Sequence, residues 1–80
     1  MTQNQALART AILSLLDERG PGLTICPSEA ARRLAGADWR GAMAVVHATA
    51  ADLAAEGRIR LSQRGAVVSA PVGAYRIARP

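Results

Sequence analysis

Lysine and phenylalanine are absent from this 80-residue chain, and tryptophan, tyrosine, histidine and cysteine each occur once. A single cysteine, Cys26, cannot cross-link the chain to itself, so the fold must rest on packing, as expected in a reducing cytosol and not after secretion. One histidine, one cysteine and scattered carboxylates lack the ligand count and close spacing of a zinc site, so no metal is expected. A glycine-rich phosphate loop, a nucleophile elbow and a flanked carboxylate pair are also missing, which argues against an enzyme and against a cofactor. No apolar run approaches the roughly 20 residues of a membrane span. The opening Met1-Thr2-Gln3-Asn4-Gln5 has neither the basic stretch nor the apolar run of a secretion signal. The expected location is the cytoplasm, away from membranes.

Half of the residues are hydrophobic and 20% are charged, the balance of a folding chain and not of a disordered one. A chain of this length buries only roughly 60–65% of its unfolded surface, so residues 1–80 are read as one domain with one core. The net charge is +4 and every basic residue is arginine, which stays charged and pairs with phosphate oxygens through two parallel hydrogen bonds. The charge is uneven. Residues 1–57 hold five arginines against six carboxylates, whereas residues 58–80 hold Arg58, Arg60, Arg64, Arg76 and Arg79 and no acid. The positive field therefore belongs to the C-terminal third.

From about Asn4 to Arg19, apolar residues at Ala8, Ala11, Ile12, Leu15 and Leu16 form one helical stripe, which Gly20-Pro21-Gly22 ends. Leu23-Thr24-Ile25 reads as a minimal strand. A second helix, about 27–35, opens with Pro27 at its first position, Cys26 as the cap and Glu29 placed to reach back to it. After Ala35-Gly36-Ala37, Asp38 is the expected cap of a third helix, about 39–56, with Trp39, Met43, Val46, Ala50 and Leu53 on its apolar side and Gly57 as its stop. Its other face is Arg40, Ala44, His47, Ala48, Ala51 and Ala55. The period then becomes two. Ile59 and Leu61 point one way and Arg58, Arg60 and Ser62 the other, in a strand at about 58–63, with a turn at Gln63-Arg64-Gly65-Ala66 and a return strand at about 74–78 that turns Tyr75 and Ile77 inward.

Helix, short strand, helix, helix and two strands is the order of a winged helix-turn-helix, an α+β but mainly helical fold with a small antiparallel sheet, expected here with three strands. In helix-turn-helix proteins the second helix of the motif enters the major groove and the first crosses the backbone. That frame makes Arg32, Arg33, Arg40, His47, Arg58, Arg60, Arg64 and Arg76 candidate nucleic-acid contacts. Few side chains on the third helix can read a base edge, only Arg40 and His47, so the expected binding is shape-driven and weakly selective.

Each feature also has a plainer explanation. Trp39 starts an apolar stripe and is expected in the core, Cys26 is expected to be structural because nothing places the only histidine beside it, and His47 is expected in solvent. The arginine row is also what protects an edge strand from aggregation. Val67, Val68, Pro71 and Val72 are an apolar cluster unsuited to a minor groove, and point either to folding back on the domain or to a homodimer or protein-partner interface.

The stretch Thr24-Ile25-Cys26-Pro27-Ser28-Glu29-Ala30-Ala31-Arg32, followed by Trp39-Arg40, Met43, Gly57-Arg58-Ile59, Gln63-Arg64-Gly65 and Tyr75-Arg76-Ile77, resembles a bacterial family of uncharacterised proteins, domain of unknown function 3253. The resemblance covers nearly the whole chain and implies a winged-helix fold with no assigned activity. Double-stranded DNA is thus the expected ligand, and a protein contact through the Val67 to Val72 segment and the alanine face of the third helix is the alternative.

Overall fold

Thr2 has an extended backbone and its hydroxyl accepts the Gln5 amide, while the Gln5 side chain accepts the Thr2 amide at 2.9 Å. This reciprocal cap starts helix α1, Gln3–Arg19, one residue ahead of the expected Asn4. The computed structural model describes residues 2–69, 71 and 73–80, so Val72 of the expected apolar cluster lies outside the described residues. All five expected stripe residues of α1, from Ala8 to Leu16, are buried. A short strand, β1 (Thr24–Ile25), leads into α2 (Pro27–Ala35), where Glu29 Oε1 accepts the Cys26 amide at 3.0 Å as anticipated.

Only the 3₁₀ turn Gly36–Asp38 separates α2 from α3, Trp39–Ala55. Asp38 does precede α3, but its side chain makes no capping bond. Its backbone, φ −92° and ψ 21°, continues the 3₁₀ turn and is not the extended conformation from which a carboxylate reaches the next turn's amides. At the far end Gly57 has φ 76°, and the amides of Gly57 and Arg58 bond the carbonyls of Ala54 and Leu53 at 3.0 and 2.9 Å. That pair of bonds closes the helix and turns the chain toward the sheet.

The sheet has four strands and not the expected three. β2 (Arg60–Gln63) and β3 (Ala66–Val68) form a hairpin, β4 (Arg76–Ala78) lies between β1 and β2, and all pairs are antiparallel in the order β1-β4-β2-β3. Both residues of the hairpin turn, Arg64 and Gly65, have positive φ, 52° and 82°. A two-residue turn of that kind follows the twist of the strands and returns the chain at once, so Val67 and Val68, both β-branched, pair with Ser62 and Leu61. The expected strands also shorten: Arg58 and Ile59 precede β2, and Ala74 and Tyr75 precede β4.

Ile77 pairs with Ile25 on one side and Leu61 on the other, and all three are buried against Ile12, Val46 and Leu53 of the helices. Burying each such side chain contributes about 2 kcal/mol. Ile59 and Tyr75 are buried too, as alternation required. Trp39 and Met43, expected in the core, are only half-buried against it, while Thr49 is 1% exposed. Among the described residues no helix is long and apolar enough to cross a membrane.

Candidate functional site

Four arginines are spent on holding the fold together. Arg9 grips Glu56 with two bonds of 2.8 Å, Arg33 grips Glu18 at 2.6 and 2.8 Å, and Arg19 pairs with Glu29 and Arg79 with Asp17. The hydrogen bond from Arg9 holds the Glu56 carboxyl below its ordinary range, and that from Arg33 does the same to Glu18. Burial pushes Glu29 upward, but the Cys26 amide and the guanidinium groups of Arg19 and Arg76 outweigh it, and its carboxyl also ends below the usual range. Arg33, a candidate phosphate contact, is therefore already committed to a carboxylate on α1.

The remaining arginines have other surroundings. Arg76 lies on the outer face of the sheet but is pinned: its Nε donates to Thr24 Oγ1 at 2.9 Å and its Nη1 to Cys26 Sγ. Arg32 and Arg40 both stack on Trp39, 4.6 and 4.4 Å from the ring centroid. Stacking uses the flat face of a guanidinium and leaves its edge N–H donors free, so Trp39 holds two cations in place without consuming their hydrogen bonds. Sequence reasoning placed Trp39 in the core and missed this second use, although an arginine directly following it was a visible signal. The side chains of Arg58, Arg60 and Arg64 are exposed and form no ion pair or hydrogen bond among the described residues. Outside the ion pairs stand six arginines and two aspartates, Asp38 and Asp52, so the whole net charge of +4 resides there.

A cleft of about 920 Å³ opens between α3, the start of α2 and strands β2 and β4. Met43, His47 and Ala51, one turn apart on α3, form one wall. His47 is exposed, as expected, and also has a partner: its Nδ1 lies 2.7 Å from the Tyr75 hydroxyl, with the rings 5.5 Å apart. Burial raises the Tyr75 phenol above its ordinary pKa. The available clue was that an inward tyrosine needs a partner for its hydroxyl. Cys26 and His47 both line the cleft, but the thiol is bonded to Arg76 and the imidazole to Tyr75.

The candidate protein interface separates. Val67, on edge strand β3, is 64% exposed, whereas Val68 is half-buried against the core and Pro71 half-buried at the cleft. A smaller recess of about 230 Å³ lies between α1 and the end of α3, lined by Gln5, Arg9, Thr49, Asp52 and Glu56. The Thr49 hydroxyl there is buried and has no hydrogen-bond partner among the described residues.

The family model described as "Protein of unknown function (DUF3253)" matches residues 5–80. None of the curated proteins matches the chain.

Proposed function

The chain belongs to the DUF3253 family, whose description assigns no activity, and from the chain's own geometry we propose that it is a cytoplasmic DNA-binding module of winged-helix type, a transcription-related binder and not an enzyme. The observation that carries this reading is the division of the arginines. Arg32, Arg40, Arg58, Arg60 and Arg64 are exposed, form no ion pair among the described residues, and flank the α2–α3 turn and the β2–β3 hairpin. In this reading α3 lies in the major groove, the hairpin is the wing, and these five side chains meet phosphates. Arg33, gripped by Glu18, and Arg76, with three of its five N–H donors on Thr24 and Cys26, contribute through the field more than through contact.

Arg64 adds support. A residue other than glycine, asparagine or aspartate at φ 52° is uncommon, and an arginine there, with no side-chain hydrogen bond or ion pair among the described residues, fits a side chain kept for an outside contact. Selectivity is expected to be low. The exposed face of α3 presents Arg40 and His47 among alanines, and His47 has one ring nitrogen engaged by Tyr75.

The test is fluorescence anisotropy of a labelled random-sequence duplex at several salt concentrations. Five phosphate contacts predict a log K against log salt slope of about −4 to −5, and Arg58→Ala/Arg60→Ala should remove about two units of it. No binding at low salt would overturn the proposal. A second reading, contact with another protein through the open β3 edge, rests on the exposure of Val67. Light scattering that shows a dimer lost on Val67→Lys would favour it.

A further inference from the structure

We infer that the cleft between α3 and strands β2 and β4 is a binding site for a small organic anion: an apolar ring or chain that ends in a carboxylate. The inference rests on the cleft alone and goes beyond the DNA reading. Its volume of about 920 Å³ falls in the range of small-molecule sites, and its walls include Pro27, Met43, Ala51, Leu61, Pro71 and Ala74. Such walls favour an apolar body and offer little to a sugar-phosphate backbone.

The sign of the ligand follows from the polar lining. Arg64 and Arg76 reach the cleft, and none of its described lining residues is acidic. Glu29, one residue beyond Ser28 of the lining, lies within electrostatic reach of Arg76, but it pairs with Arg19, so Arg19, Arg76 and Glu29 together keep one positive charge. Arg76 is oriented before any ligand arrives. Of the five N–H donors of a guanidinium, three face Thr24 Oγ1, Thr24 O and Cys26 Sγ, which leaves two for a carboxylate. The paired Tyr75 hydroxyl and His47 ring, also in the lining, supply further polar contact at a fixed place. An apolar trough with a held cation is the arrangement that separates an organic acid from its neutral analogue.

The experiment titrates the ¹⁵N-labelled full chain, without DNA, with 1-naphthylacetate and with the neutral 1-naphthylacetamide, following amide shifts. The expected result is saturable, one-to-one movement of the amides of Met43, His47, Leu61 and Tyr75, with the acid bound at least roughly tenfold more tightly than the amide, since a charge-assisted bond is lost. Ala51→Trp, at an exposed helix position facing the cleft, should weaken acid binding by more than about tenfold while its own spectrum stays folded. Arg64→Gln, which removes charge without filling space, should weaken it by roughly three- to tenfold. Absence of saturable shifts, equal binding of the two compounds, or unchanged binding to Ala51→Trp overturns the inference. Because no duplex is present, failure here leaves the DNA reading intact, and failure of DNA binding leaves this site intact.

Discussion

Replacing Arg64 by asparagine should stabilise the protein and, if the proposed DNA binding holds, weaken that binding in the same step. At φ 52° an ordinary L-residue is in the left-handed region, which costs about 1–2 kcal/mol relative to its preferred conformations. Asparagine tolerates that region because its short side chain bonds locally, and Asn-Gly is the favoured pair for a two-residue hairpin turn. The arginine side chain makes no hydrogen bond or ion pair among the described residues that its removal would cost. A net stabilisation of about 0.5–1 kcal/mol is expected, which in a domain of this size raises Tm by about 3–6 °C. Thermal and urea unfolding followed by circular dichroism would measure it. On the DNA side, loss of one phosphate contact should reduce the salt slope by about 0.9. Arg64→Lys is the control, since it keeps both the charge and the backbone strain and should leave both measurements nearly unchanged. An Arg64→Asn protein no more stable than the parent would refute the strain argument, and an unchanged slope would refute the phosphate contact.

Thr49→Val should be stabilising by about 1 kcal/mol, because it removes a buried hydroxyl that has no partner and keeps the shape; a loss of stability in urea would mean that the hydroxyl is satisfied by a water in the recess beside it. Tyr75→Phe should cost about 1 kcal/mol through the lost bond to His47, and an unaltered urea midpoint would count against that bond. The parent's single tyrosine should ionise above pH 10 by absorbance, and since burial raises its pKa in the folded state, stability is full below the unfolded value and falls as pH rises through the folded one. Glu18, Glu29 and Glu56 shift the other way. Their folded values are depressed, so the stability they contribute is present above about pH 4.5, the unfolded range, and is lost as pH falls through the folded values. A urea midpoint unchanged between pH 6 and pH 3 would contradict this.

Helix positions were legible because their signals are local. Glycine and proline around residue 21, the Cys26 to Glu29 cap and the stop at Gly57 all act within a turn of themselves. The sheet was harder. Alternation from Ile59 to Leu61 announced a strand, but three residues after Gly65 are too few to show a period, so β3 was not foreseen, and nothing between Ala74 and Ala78 says that this strand lies in the middle of the sheet. That depends on which edge of β2 is still open after the hairpin forms. The site divides in the same way. Unpaired arginines around the hairpin follow from the absence of acids after residue 57, whereas the commitments of Arg33 to Glu18 and Arg76 to Thr24 join residues far apart in the chain. The bond between His47 and Tyr75 is equally non-local.

The strand order β1-β4-β2-β3 separates two jobs. Ile25, Ile77 and Leu61 stitch three strands to the helices, and the hairpin adds its outermost strand to only one neighbour. Its length, tip and outward side chains can therefore be rewritten with little penalty to the stitched part. An engineer thus has a natural cassette: different turns could be grafted between Gln63 and Ala66 to change the surface while the stitched strands keep their pairing.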